Sequence, residues 1–190
     1  MPSKTALKLA AIATEQYDLF HEFSENDPQL AAQIKKYWSA TSSSFTSVSV
    51  AWSAVFVSWC VKQSGATKND FFFHPAHSQF VFVAIQNAKA GTGVFRGFPI
   101  TDYAPQVGDI IHNNRDGGTI DFATAAKQKQ YTSHSAIVVE TGVDADGAYA
   151  RTIGGNESDS VRRKRVALNN KGLIIQRKLS PYISVIQNLM

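Results

Sequence analysis

Cysteine is almost absent from this chain: Cys60 is the only one in 190 residues. One thiol excludes an internal disulfide and any multi-cysteine zinc site. No stretch approaches the roughly 20 apolar residues of a membrane-spanning helix, so no membrane span is expected. The chain has no G-x-x-x-x-G-K phosphate loop, no HExxH pair and no G-x-S-x-G elbow. Its histidines lack the close spacing of a ligand set, so no metal site and no cofactor are expected. No recognition motif or long basic stripe suggests a nucleic-acid partner.

What is present describes an ordinary folded protein, with 44% hydrophobic and 18% charged residues. The length fits one domain, residues 1–190, large enough to bury a substantial core. A net charge of +4 and a pI near 9.2 favour an anionic partner, a cell-wall polymer, nucleic acid or membrane surface, without choosing among them. The opening stretch "MPSKTALKLAAIATEQYDLF" has an apolar run broken by Lys8 and followed by Glu15 and Asp18. It does not fit a secretory signal peptide. The expectation is therefore synthesis in the cytoplasm and export, if any, by a route without a cleavable signal.

The first half reads as helical. Leu7, Ala10, Tyr17 and Phe20 fit one face of an amphipathic helix. Asp27-Pro28 predicts the start of a second helix through about Trp38. "SATSSSFTSVS" reads as a loop, after which Trp52, Val55, Phe56, Trp59 and Cys60 form a core-facing helical stripe that Gly65 ends. A further helix is expected after Pro75, ending near Gly91. The second half reads as strands: "VGDIIHN", "HSAIVVETG", "AYARTIGG", "VRRKRVAL" and "GLIIQRK", with a long polar insertion from Asn113 to Ser133. Helices followed by strands predict an α+β fold, with the N-terminal helices packed on a C-terminal antiparallel sheet.

The candidate chemistry lies where these elements begin. Ser53 stands at the start of a helix, where free N–H groups and the macrodipole favour a nucleophile or hold an oxyanion. It fits an N-cap equally well. Cys60 lies on the apolar stripe and reads as a small buried hydrophobe. His134 opens an apolar strand, from which an imidazole can face a helix N-terminus, and His77 near a helix start is a second candidate. In "TIGGNESDSV", Asn156 is either part of a plain turn or the group that orients His134, with Glu157 and Asp159 as alternative carboxylates. Strand alternation sends Arg162 and Lys164 to one face and Arg163 and Arg165 to the other. That run reads as a solvated edge or a grip on an anionic polymer.

Four of these elements, in order, resemble the CHAP and NlpC-type superfamily of papain-like cell-wall amidases and endopeptidases. They are Trp52-Ser53-Ala54-Val55-Phe56-Val57, Pro105-Gln106-Val107-Gly108-Asp109, His134, and Gly154-Gly155-Asn156 with Ser158-Asp159-Ser160-Val161. The resemblance covers residues 49–168 and leaves residues 1–48 as a helical extension. An uncharacterised subgroup of related domains is similar in reading tryptophan–serine–alanine here, with a histidine one helix later that matches His77.

The resemblance implies a papain-like fold and hydrolysis of an amide bond in the peptidoglycan stem peptide. Ser53 occupies the position of the family's nucleophilic cysteine, His134 that of the general base and Asn156 that of the orienting group. Trp52, His77 and Asp159 are expected to contact substrate. A serine needs a base to remove its proton during attack, and the resulting imidazolium is stabilised far better by a carboxylate than by an amide. Ser53, His134 and Asn156 alone would thus make a weak hydrolase unless Glu157 or Asp159 served as the third member. Family habit further implies an antibacterial effector delivered by a type VI-like machine, or a lysin. It would act in the periplasm or at the cell wall of a target bacterium, with an immunity protein as a possible partner. The alternative is a catalytically inactive domain of this fold that binds cell-wall fragments or a protein partner.

Overall fold

A computed structural model describes all residues 1–190. The element order is α1 (Lys4–Phe20), α2 (Pro28–Trp38), α3 (Ser53–Ser64), α4 (His77–Ala90), β1 (Phe95–Pro99), β2 (Ile110–Asn114), α5 (Phe122–Ala125), β3 (Ser133–Asp144), β4 (Gly147–Glu157), β5 (Ser160–Ala167) and β6 (Tyr182–Asn188). The six strands form one sheet in the order β1-β6-β2-β3-β4-β5. Every neighbouring pair is antiparallel. The fold is α+β. No helix is long and apolar enough to cross a membrane.

Local signals set several helix ends. Ser3 Oγ accepts from Ala6 N and caps α1. Pro28 opens α2, where its missing N–H costs nothing. Gly65 and Gly91 close α3 and α4 in the left-handed conformation, at φ of 113° and 66°.

The buried face of α1 differs from the expected one. Ala6, Leu9, Ala10, Ala13 and Gln16 point inward, whereas Leu7 is exposed. Close approach decides the rotation: Gly108 packs directly on the backbone of Ala6, and a side chain at position 108 would run into it. In α3 nearly every side chain is buried, because α1, α2 and the sheet surround it. Cys60 is fully buried there, and burial pushes its thiol well above the ordinary range.

Strand alternation divides the sheet into two faces. Ile110, Ile137 and Ile153 join α1, α2, α3 and α4 in the main core. Ile111, Val138, Ala150, Val166, Tyr182 and Val185 form a smaller core on the other side.

Two strand assignments change. "GLIIQRK" forms only a single bridge, Leu168 to Ile174, and the Gln176 side chain bonds the backbone N and O of Tyr182 across the following turn. The sixth strand is instead Tyr182–Asn188, inserted between β1 and β2, and β1 was also not anticipated. The Asn113–Ser133 insertion carries α5 and packs on α4 through Ser78 Oγ to Lys129 O and Gln86 Nε2 to Ala126 O.

The Pro105–Asp109 motif is a built turn. Asp109 accepts from Gln106 N at 2.8 Å and from Asn188 N at 2.8 Å, tying the entrance of β2 to the end of β6. Burial raises the Asp109 carboxyl to about 6 despite these bonds.

Candidate functional site

Ser53 is the first residue inside α3, and its cap position is Trp52, with no capping side chain. Its hydroxyl is therefore not engaged in capping. Ser53 Oγ lies 2.7 Å from Nε2 of His77, the first residue of α4. Both side chains are buried. The serine thus meets His77, the second candidate histidine and an expected substrate contact, rather than His134.

Burial, followed by the neighbouring His134, His112 and Arg115, holds the His77 imidazole well below its ordinary pKa, so the ring is neutral near pH 7. Its Nδ1 has no hydrogen-bond partner. His112, on β2, bonds Ser135 Oγ at 2.8 Å and Tyr131 OH at 3.2 Å. Burial and then His134 depress its pKa to about 3. The His77 ring centroid is 5.3 Å from that of His134 and 6.5 Å from that of His112, so the three imidazoles form one cluster.

His134 has its own orienting group. Its Nε2 donates to Glu157 Oε1 at 2.7 Å, and Lys164 Nζ stands 2.6 Å from Glu157 Oε2. Burial alone would raise the Glu157 carboxyl, but the His134 hydrogen bond and the Lys164 ammonium outweigh it and hold the group below its usual range.

The orienting role expected of Asn156 therefore falls to Glu157. One extra residue in β4 makes the exchange. The β4–β5 register pairs Gly154 with Arg162 and Glu157 with Ser160, so a bulge inserts one residue between those pairs. A one-residue shift swaps which side chain reaches a given face. Asn156 takes the left-handed conformation, φ 54°, and donates from Nδ2 to Glu25 Oε2 at 3.0 Å.

The same Glu25 oxygen accepts from Trp52 Nε1 at 2.9 Å, and Glu25 N donates to Asp159 O at 2.7 Å. Glu25 thus joins the residue before Ser53 to the β4–β5 turn. Sequence reasoning missed it, since a lone glutamate between two helices carries no local signal. The segment before residue 49 is accordingly part of the site's frame. Trp52 is fully buried and cannot contact a ligand as expected: it packs against Tyr37 and is held by Glu25. Asp159 is an exposed turn residue with φ 55° and contributes its carbonyl, not its carboxylate, to these contacts.

The paired glycines have separate spatial reasons. A Cβ on Gly154 would collide with Glu157 Oε1 and lie 2.8 Å from His134 Nε2. A Cβ on Gly155 would lie 2.6 Å from Trp52 and 2.7 Å from Phe56. The first leaves room for the imidazole–carboxylate pair, and the second lets β4 approach the start of α3.

A cavity of about 320 Å³ opens beside His134, Asn156 and Glu157. It lies on the sheet face of Ile111, Ala136 and Val166, away from α3. Ser53 and His77 do not line it. The basic run on β5 follows the expected alternation only in part. Lys164 faces the cavity, while Arg163 lies over the Tyr17 ring and Arg165 pairs with Asp144. Arg162 instead donates to His21 O.

No curated protein and no solved structure matches the chain. A family model described as an uncharacterized protein conserved in bacteria (DUF2272) matches residues 21–185, which takes in the Glu25 contacts as well as Ser53, His77, His134 and Glu157, and the chain belongs to that family.

Proposed function

We propose that this protein is a papain-like hydrolase of peptidoglycan that cleaves an amide bond of the stem peptide, with Ser53 in the place of the nucleophile. The observation that carries this reading is the 2.7 Å contact between Ser53 Oγ and His77 Nε2 at the start of α3, beside a second imidazole held by Glu157. Ser53 Oγ attacks the carbonyl carbon as its proton passes to the imidazole bonded to it. The unpaired N–H groups of the first turn of α3 are the donors nearest the developing oxyanion. Collapse of the tetrahedral intermediate breaks the C–N bond, and the proton goes to the departing amine. Water then attacks the acyl-serine, releasing a carboxylate and restoring the hydroxyl. Glu157 supplies the negative charge that favours a cation within the histidine cluster, the contribution an asparagine makes poorly. The basic surface suits an anionic wall polymer. On this reading the protein is a secreted antibacterial effector or lysin, and an immunity protein is a partner to seek.

The test is turnover of purified peptidoglycan by the native chain, Ser53→Ala and Ser53→Cys, with product masses identifying the bond. Activity in the native chain that Ser53→Ala abolishes supports the reading. Activity only in Ser53→Cys makes the chain a decayed cysteine hydrolase.

A second reading, a catalytically silent domain that binds wall fragments, is favoured by two observations. Ser53 is only 3% exposed, and His77 Nδ1 has no carboxylate behind it. Absence of turnover by all three proteins, with retained binding to peptidoglycan, would select it.

A further inference from the structure

The cavity beside His134 is charged in one direction. Arg115, Lys164 and Arg177 line it, and Glu157 is the one acidic residue in its wall. Glu157 is already engaged by His134 and Lys164. The nearest carboxylate to Arg115 is Asp116, outside the cavity wall, with the guanidinium Nε 3.8 Å away. Arg177 has no acidic partner. Its Nε donates to Ser180 O at 2.9 Å and its guanidinium lies 4.3 Å from the centroid of the Tyr182 ring, contacts that hold the planar group without using its terminal nitrogens. Arg177, without a counter-charge, and Arg115, paired only with Asp116 at 3.8 Å from Nε, line a partly enclosed polar cavity and present the donor fork that carboxylates and phosphates bind. The volume is that of a small ligand group rather than a long polymer segment.

We propose that this cavity is an oxyanion subsite in which Arg115 and Arg177 bind a carboxylate or phosphate group of a ligand, next to His134 and Glu157. An anion held there sits on the sheet face opposite α3 and places the rest of its ligand at the rim, near the histidine cluster. The inference rests on the peptidoglycan reading only for its choice of peptide probe, since stem peptides carry free carboxylates.

The experiment is titration calorimetry on the full chain with three probes. They are a stem peptide with free carboxylates, the same peptide with its carboxylates amidated, and inorganic phosphate. The proteins are the native chain, Arg115→Gln and Arg177→Gln. Arg177 is exposed and Arg115 half-buried, so neither change removes core packing, and a melting curve verifies folding. The expected result is binding of the free-carboxylate peptide that falls at least tenfold in each variant, weakens with added salt and is absent for the amidated peptide. Phosphate binding lost in both variants, with no peptide binding, retains the subsite and removes the peptide as its source. Equal affinities in native and variant proteins, or no binding of any probe, overturns the proposal. Turnover of peptidoglycan with arginine-independent binding would sink this inference and leave the hydrolase reading standing. Arginine-dependent binding without turnover would do the reverse.

Discussion

Ser53 Oγ and His77 Nε2 lie 2.7 Å apart, whereas the carboxylate that could support an imidazolium, Glu157, is bonded to the neighbouring His134. Nucleophile contact and charge compensation are thus divided between two rings whose centroids are 5.3 Å apart. If both rings serve one reaction, His77→Asn and His134→Asn should each lower peptidoglycan turnover by about 10²- to 10⁴-fold, the usual worth of general acid–base assistance. Full activity in either variant would remove that histidine from the chemistry.

The glycines offer a separation of function from stability. Gly154→Ala should push Glu157 off His134 and reduce activity more than it reduces stability, because the side chains that must yield are at the cavity rim. Gly155→Ala meets the buried Trp52 and Phe56, which cannot yield, and should cost about 1–3 kcal/mol through overpacking. Denaturant melts together with turnover would resolve the two, and equal stability losses would contradict the assignment.

Glu25 makes a sharper test of the N-terminal segment. Glu25→Ala leaves Trp52 Nε1 and Asn156 Nδ2 without their shared acceptor. A lost hydrogen bond to a charged group costs roughly 1.5–3 kcal/mol, so denaturant stability should fall by about that amount. A variant as stable as the native chain would mean that residues before 49 do not brace the site.

Acid should destabilise the fold through its buried histidines. His112 has a folded pKa of about 3 against an ordinary 6.5, and that of His77 is also depressed. The unfolded chain therefore binds more protons between those values. The stability is present above about pH 6.5 and is lost as pH falls toward 3. Asp109, raised to about 6 from 3.8, acts in the opposite direction, losing stability as pH rises through that window. The His112→Gln variant should flatten the slope of unfolding free energy against pH between 6.5 and 3 by about 1.4 kcal/mol per pH unit, one proton's worth. An unchanged slope would show that His112 is not buried as a neutral ring.

The sequence by itself determined the local elements, because their causes are local. Asp27-Pro28 started α2, Gly65 and Gly91 ended α3 and α4, and the stripe through Val55, Phe56 and Cys60 placed the start of α3 beside Ser53. It determined as well that Cys60 would be packed rather than reactive. Glu157 was legible as one alternative to Asn156, but choosing between them required the one-residue bulge in β4, whose register is set by pairing with β5. Only tertiary structure decided which histidine meets Ser53, since that depends on where the start of α4 lands against the start of α3 across 24 residues of chain. The same holds for Glu25, which bridges residues 52 and 156, and for β6, which pairs with strands far behind it in the chain. Propensity and periodicity act over a few residues; long-range packing fixes contacts between segments that carry no local mark of one another.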